Sequence, residues 1–330
     1  MNALQFDRNG IPAEVLQLRD VPIPVPKLGQ VRVRILASPI NPSDLLTIQG
    51  GYASPLHPPA IPGYEGVGVV DATGGGVIAW LRKGKRVALI SQRGGTWAEQ
   101  VVVAAKQVVP VPDSIPVEQA ATFFINPMTA VAMIRRVLKV PAGSWVLQTA
   151  AGSALGQMVI RLAKLHGFRT INVVRRPEQV EELNRIGADE VICEANESIE
   201  ERVQTLTQKE GVPFVLDPVG GKTGAAAVRC LASGGRALLY GVLSGQTVEV
   251  DPRFLITGSK RVEGFWLADW LRNQGVLSML QMAREVRQLM AQGILKSDFA
   301  GVYSLEEHQK AMQHVQSSAR GGKVLFKISN

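Results

Sequence analysis

The run Val31-Arg32-Val33-Arg34-Ile35-Leu36 alternates apolar and basic side chains. That period of two is the period of a strand with one face in a core and the other in water. Shorter apolar runs follow at Val67-Gly68-Val69-Val70, Arg86-Val87-Ala88-Leu89-Ile90 and Glu99-Gln100-Val101-Val102-Val103, each set off by turn residues. Up to about residue 120 the pattern predicts a compact, mainly β domain. From about Thr129 to Phe265 the period switches between strand and helix. Ser144-Trp145-Val146-Leu147-Gln148 reads as a strand, and Leu155, Val159, Leu162 and Leu165 then recur at helical spacing. Thr170-Ile171-Asn172-Val173-Val174 is a second strand, residues 178–186 a helix, and Glu190-Val191-Ile192 a third strand. Ser198 with Glu201 forms a capping-box pair that opens another helix. Phe214-Val215-Leu216 and Arg236-Ala237-Leu238-Leu239-Tyr240 continue the series. Such alternation predicts an α/β domain, a doubly wound parallel sheet with helices on both faces. After Trp266 an amphipathic helix over about residues 277–290 and a closing strand, Lys323-Val324-Leu325-Phe326-Lys327-Ile328, are expected to return to the first domain. The boundaries expected are 1–125 with 267–330 for the β-rich domain and 126–266 for the α/β domain.

Composition narrows the class. The 330 residues are 46% apolar and 19% charged, the balance of a globular chain. No run of 18 apolar residues occurs, so no membrane-spanning helix is expected. The start, Met1-Asn2-Ala3-Leu4-Gln5-Phe6-Asp7, lacks the basic-then-apolar order of a secretory signal. Cys193 and Cys230 stand alone, outside any CxxC motif, which argues against a disulfide framework and a cysteine-rich metal site and leaves cytoplasmic residence as the expectation. A net charge of +8 favours anionic ligands such as a phosphorylated cofactor. Nucleic acid is a weaker expectation, because the basic residues are scattered and aromatics are 5% of the chain.

The turn Thr149-Ala150-Ala151-Gly152-Ser153-Ala154-Leu155-Gly156 sits where a dinucleotide fingerprint belongs, between a strand and a helix. It departs from GxGxxG, with Ala151, Ser153 and Gly156 at the three positions. Small residues still let the backbone approach a pyrophosphate, and the helix N-terminus supplies donors and a positive dipole end. An ordinary tight turn would look similar. The end of the second strand decides more. An NAD site places an acidic residue there for the ribose 2′-hydroxyl. Here the sequence is Val174-Arg175-Arg176-Pro177, and two guanidinium groups suit a 2′-phosphate. NADPH is therefore the cofactor expected.

With these elements in order, the chain resembles the medium-chain dehydrogenases/reductases, and more narrowly their zinc-independent quinone reductases and 2-enoyl thioester reductases. The likeness rests on Ile40-Asn41-Pro42-Ser43-Asp44, Ile48-Gln49-Gly50-Gly51-Tyr52, Pro62-Gly63-Tyr64-Glu65-Gly66, Asn126-Pro127-Met128-Thr129-Ala130, Thr170-Ile171-Asn172-Val173-Val174-Arg175 and Gly264-Phe265-Trp266-Leu267. The resemblance implies a GroES-like β domain followed by a Rossmann domain. By matching position it implies cofactor contacts at Asn126, Ser153, Ala154, Leu155, Gly156, Arg175, Arg176, Tyr240, Gly241, Val242, Leu243, Phe265, Trp266, Leu267 and Lys323. Asn126 and Lys323 also have plain readings as a loop cap and a surface lysine. Trp266 has one as dimer core, since the neighbouring edge strand pairs across a two-fold axis in this family, which implies a homodimer.

Zinc alcohol dehydrogenases of this fold use a cysteine and a histidine where this chain has Asn41 and Tyr64. His57, His166, His308 and His314 do not form a ligand pattern, so no zinc is expected. Without a Lewis acid the acceptor must already be electrophilic, such as a quinone or a C=C bond conjugated to a carbonyl. Hydride addition at the β carbon leaves an enolate that needs a proton. Tyr52 matches the tyrosine to which the enoyl reductases assign that donation, and a phenol is protonated at neutral pH. Packing alone would equally account for it. Asn41, Tyr64 and Trp266 are candidates for the acceptor pocket, although Tyr64 reads first as a filler of the space a metal would take. Three functions stay open at this point: reduction of an enoyl thioester carried by CoA or acyl carrier protein, reduction of a quinone, and nucleotide or RNA binding without turnover.

Overall fold

The computed structural model describes residues 1–53, 55–317 and 321–329. It divides into two compact units, Met1–Pro127 with Ala283–Asn330, and Met128–Met282. The stretch 267–282 thus belongs with the second unit, and the chain returns to the first at Ala283, later than the sequence pattern placed it.

The first unit is built on a seven-stranded sheet. Its longest strand, Gln30–Pro39, buries Val31, Val33 and Ile35 and turns Arg32 and Arg34 away from the core, as the alternation requires. It pairs antiparallel with Glu65–Thr73, Gln100–Ala104 and the closing strand Lys323–Lys327. Val70, Val87, Leu89, Val101 and Val103 complete the core on that face. A second core joins Leu4, Phe6 and Leu16 from the strands Asn2–Phe6 and Leu16–Asp20 to Trp97, Phe326 and the helix His308–Gln316 through Ala311, Met312 and Val315. The strand Lys323–Lys327 therefore inserts between Gln30–Pro39 and Phe299–Tyr303, which is how a residue near the end of the chain reaches one near its start.

The second unit holds a six-stranded, wholly parallel sheet. Counted along the chain within this unit, its strands lie in the order 3-2-1-4-5-6: Glu190–Cys193, Arg169–Val174, Trp145–Gln148, Val212–Asp217, Leu231–Leu239 and Arg261–Gly264. That is the order of dinucleotide-binding sheets, with a switch point between strands 1 and 4. Leu147, Ile171, Val173, Ile192, Val215 and Ala237 form its core. The helix Ala154–His166 buries Leu155, Val159 and Leu162 but leaves Leu165 exposed, because Ile160 and Ala163 carry the buried stripe round the helix instead. Ser198 does cap the helix Ile199–Leu206, accepting from the Glu201 amide at 3.4 Å. Among the described residues no helix is long and apolar enough to cross a membrane.

Candidate active site

Pro42 fixes φ in the first turn of the helix Pro42–Gln49, and Asn41 stands before it with φ −104° and ψ 155° as its cap. The Asn41 amide donates to Asp44 Oδ2 at 2.7 Å, one half of a capping box. The Asn41 side chain reaches the other way. Its Nδ2 donates to Glu65 Oε1 at 3.0 Å, and its Oδ1 accepts from Lys323 Nζ. Glu65 Oε2 accepts from the backbone amides of Phe124 and Ile125 at 3.1 and 2.9 Å, at the start of the helix Ile125–Val131, where a carboxylate offsets the positive dipole end. An ammonium, an amide, a carboxylate and a helix start therefore make one buried chain within the first unit. Gly63, just before Tyr64 and Glu65, adopts φ +93°, and a Cβ there would collide with Thr96 Oγ1.

Burial raises the acids of this cluster. Asp44 is pushed up to about 7, first by burial and then by the neighbouring Glu65, against hydrogen bonds from backbone amides and the attraction of Lys323. Glu65 is also raised by burial, opposed by Lys323 and by its three donors. Among the described residues Asp44 Oδ1 has no hydrogen-bond partner while Oδ2 accepts from the Asn41 amide, so the charged form is only partly compensated for its burial. The consequence has a definite sign. Between an unfolded value near 3.8 and about 7 the folded chain holds a proton that the unfolded chain has released, so stability falls as pH rises through that window. The fall attributable to Asp44 approaches about 4 kcal/mol. Urea unfolding of Asp44→Asn at pH 5 and pH 8 is expected to show a smaller loss than wild type; an equal loss in both would show that Asp44 does not titrate in this window.

Two tyrosines lie beside the cluster. Thr47 Oγ1 donates its one proton to the Ser43 carbonyl at 2.8 Å, so the 2.7 Å contact between Thr47 Oγ1 and the Tyr64 hydroxyl has Tyr64 as donor. Tyr64 is buried, and burial pushes its phenol up to about 12. Its proton is therefore held in an internal bond. Tyr52 follows the left-handed cap Gly50 (φ 82°) that ends the helix, is half-buried, and lies with its ring 5.6 Å from that of Tyr64 at an interplanar angle of 40°.

In the second unit the turn after Trp145–Gln148 is tightly built. Ala150 takes φ +47°, Ser153 caps the helix by accepting from the Gly156 amide at 3.1 Å, and a Cβ on Gly156 would lie 2.4 Å from the Ala151 carbonyl. Gly156 thus takes the close-packing role of the third fingerprint glycine. Beneath the turn, Gln148 Nε2 donates to the Gly156 carbonyl and to Asn172 Oδ1, tying helix to sheet. Thr149 and Asp217, at the carboxyl ends of strands 1 and 4, hydrogen-bond across the switch point. Arg175 is exposed just beyond strand 2, and among the described residues it forms no hydrogen bond or ion pair; Arg176 beside it is half-buried.

The sequence-predicted residues fall into two groups. Asn41, Tyr52, Tyr64 and Lys323 meet in the first unit, where Lys323 is a buried lysine and not a surface one. Asn126 is half-buried as the second residue of Ile125–Val131. In the second unit Ser153, Ala154, Leu155 and Gly156, then Arg175 and Arg176, then Tyr240, Gly241, Val242 and Leu243, then Phe265, Trp266 and Leu267 all follow carboxyl ends of strands, the edge at which such sheets bind ligands. A Cβ on Gly241 would lie 2.8 Å from the Pro218 carbonyl. Trp266 is half-buried with the Arg272 guanidinium 5.3 Å from its ring. Sequence reasoning did not single out Asp44, Thr47, Glu65 or Asp217. Glu65 carried a signal, an acid at the head of a Gly-rich apolar run, and so did Asp217, an acid closing one.

Two family models match the chain, the alcohol dehydrogenase GroES-like domain over residues 27–113 and the zinc-binding dehydrogenase over residues 154–282. The mitochondrial enoyl-[acyl-carrier-protein] reductase of Xenopus tropicalis is 35% identical over 321 residues, 95% of this chain and 91% of the relative. The mouse enzyme of the same name is 34% identical over 318 residues, 95% and 85% of the two chains. The chain belongs to the medium-chain dehydrogenase/reductase family. Within it, the branch is that of the quinone and enoyl reductases, and the chain is an oxidoreductase of that type. The structure of the Escherichia coli quinone oxidoreductase complexed with NADPH superposes with a TM-score of 0.91 at 26% identity, covering 99% of this chain and 100% of that one. The zinc named by the second model does not extend to a ligand set here: among the described residues no group of three His, Cys, Asp or Glu could hold a metal ion.

Proposed function

We propose that this medium-chain reductase uses NADPH to reduce a C=C bond conjugated to a carbonyl, with a trans-2-enoyl thioester as the acceptor. The observation that carries the cofactor is the unengaged Arg175 beyond strand 2, at the position where an NAD site needs an acid. Arg175 and Arg176 would hold the 2′-phosphate, the turn 151–156 the pyrophosphate, and residues 240–243 and 265–267 the nicotinamide end. Bound NADPH supplies the hydride. Relatives named enoyl-[acyl-carrier-protein] reductases, 34–35% identical across nearly the whole chain, support an enoyl thioester of acyl carrier protein as the acceptor, and a CoA thioester presents the same reacting group. Without a metal the acceptor's own carbonyl must draw off the charge, and the chain's part is to deliver a proton. Tyr52 is the donor in this reading, because the Tyr64 proton is committed to Thr47 while Tyr52 adjoins it at the head of the polar cluster. Tyr64 and Asn41 then act as a rigid wall for the acceptor pocket. The edge strand Arg261–Gly264 closes the sheet order and would pair across a homodimer two-fold.

Quinone reduction is the second reading, favoured by the likeness to the E. coli enzyme. Steady oxidation of NADPH by a panel of enoyl-CoA, enone and quinone acceptors separates the two. A chain that reduces quinones and no enoyl thioester would overturn the first. The cofactor claim has its own test. Arg175→Ala is expected to raise the KM for NADPH about tenfold or more while leaving that for NADH within about twofold, the loss of one charge-assisted bond to phosphate. An unchanged ratio would refute the phosphate contact.

A further inference from the structure

The short helix Val77–Arg82 is inverted. In a surface helix the large apolar side chains face the core. Here Ala79 is the residue turned inward, 1% exposed, while Val77, Ile78, Trp80 and Leu81 face solvent, Trp80 at 70%. They occupy positions i, i+1, i+3 and i+4, which span one broad face of the helix. The patch does not end there. The Gly29 amide donates to the Gly75 carbonyl at 3.0 Å, and a Cβ on Gly75 would lie 3.3 Å from Leu28, which is 81% exposed. On the other side the Ala105 amide donates to the Gly29 carbonyl at 2.9 Å, which brings the turn Ala105–Gln107 alongside. The three segments, residues 21–30, 74–86 and 104–111, carry Lys27, Arg82, Lys83, Lys85, Arg86 and Lys106 and contain no Asp or Glu. Lys27, Lys83, Lys85 and Lys106 are exposed. The surface is thus an aromatic and aliphatic patch with a mainly basic rim, in which Arg86 pairs with Asp113 at 3.4 Å.

We infer that this face docks on an anionic lipid bilayer, lying in the headgroup layer without crossing it. Trp and Leu on a basic rim are the composition of interfacial segments: the apolar side chains enter the acyl boundary while lysine stems let their ammonium groups stay at the phosphates. A second copy of this chain is the poorer occupant. A two-fold contact through this patch would set Lys83 and Lys85 of one copy against the same basic rim of the other, with no carboxylate in the three segments to receive them. The lack of a membrane-spanning helix among the described residues does not bear on a surface of this kind.

The test is cosedimentation of the full chain with vesicles of phosphatidylcholine alone and of phosphatidylcholine mixed with phosphatidylglycerol. The chain is expected to sediment with the mixed vesicles, not the neutral ones, and to be released by high salt. Lys83→Glu with Lys85→Glu should lower the partition coefficient about 25-fold or more, at about fivefold per lost cation. Trp80→Ser with Leu81→Ser should lower it about tenfold or more and abolish a blue shift in tryptophan emission on vesicle addition. These side chains are exposed, so the melting temperature and the NADPH oxidation rate without vesicles should match wild type in both variants. Three outcomes would overturn the inference: no sedimentation with mixed vesicles at low salt, sedimentation that the variants leave intact, or a concentration-dependent dimer that Trp80→Ser with Leu81→Ser dissociates.

Discussion

Tyr52→Phe is expected to lower kcat for reduction of a 2-enoyl thioester by about 100-fold to 1000-fold, within the range of a lost general acid. The reason lies in where protons are held. Hydride arrival at the β carbon leaves negative charge on the thioester oxygen and α carbon, and a positioned phenol both stabilises and quenches it. Of the two tyrosines present, Tyr64 already donates to Thr47, whose own proton goes to the Ser43 carbonyl. That small network ends on a backbone acceptor. Tyr64→Phe should therefore cost about 1 kcal/mol of stability for the lost bond and much less in rate. The comparison is the test: if the two variants lose rate equally, or if Tyr64→Phe loses more, Tyr52 is not the donor. A raised KM with unchanged kcat in Tyr52→Phe would likewise assign it to binding.

The order of strands and helices is written in local periodicity, and Val31 to Leu36 or the alternation after residue 144 could be read window by window. The proposed cofactor half draws on the same kind of signal: Ser153, Gly156 and Arg175 each follow a strand end, and the reading of each comes from the few residues around it. Leu165 shows the limit, since four apolar residues at plausible spacing do not say which of the neighbours continue the buried stripe. The polar cluster of the first unit is of another kind. Lys323 and Asn41 are 282 residues apart, and Asn41 and Glu65 are 24 apart. Each alone reads as a surface lysine, a cap and an acid at a turn. Their chemistry exists once the closing strand has been inserted beside Gln30–Pro39, which no local window contains. The resemblance reads Asn41 as standing where zinc enzymes of this fold have a ligand, and no local window reads it as the link between an ammonium and a carboxylate.

That link supports a second large effect. Lys323→Met is expected to destabilise the chain by about 3–5 kcal/mol at pH 8, the cost of leaving a buried carboxylate without its counter-charge. Lys323 attracts both Glu65 and Asp44 and holds both below the values burial alone would give them. Methionine keeps most of the volume, so packing changes little and the charge is what is removed. Without the ammonium, Glu65 is driven further up. A folded carboxyl raised above its unfolded value makes stability fall as pH rises, because the unfolded chain releases the proton first. The deficit of Lys323→Met relative to wild type should accordingly be smaller at pH 5, where Glu65 can hold a proton, than at pH 8. Glu65→Gln added to Lys323→Met should recover part of the loss at pH 8, since the charge is gone. The recovery is partial because one amide oxygen replaces two carboxylate oxygens that together accept from Asn41, Phe124 and Ile125. Urea unfolding of wild type, both single variants and the double variant at the two pH values gives the coupling directly. Additive losses, or a deficit independent of pH, would mean that Lys323 and Glu65 do not sense one another through Asn41 and that the cluster is held by packing alone.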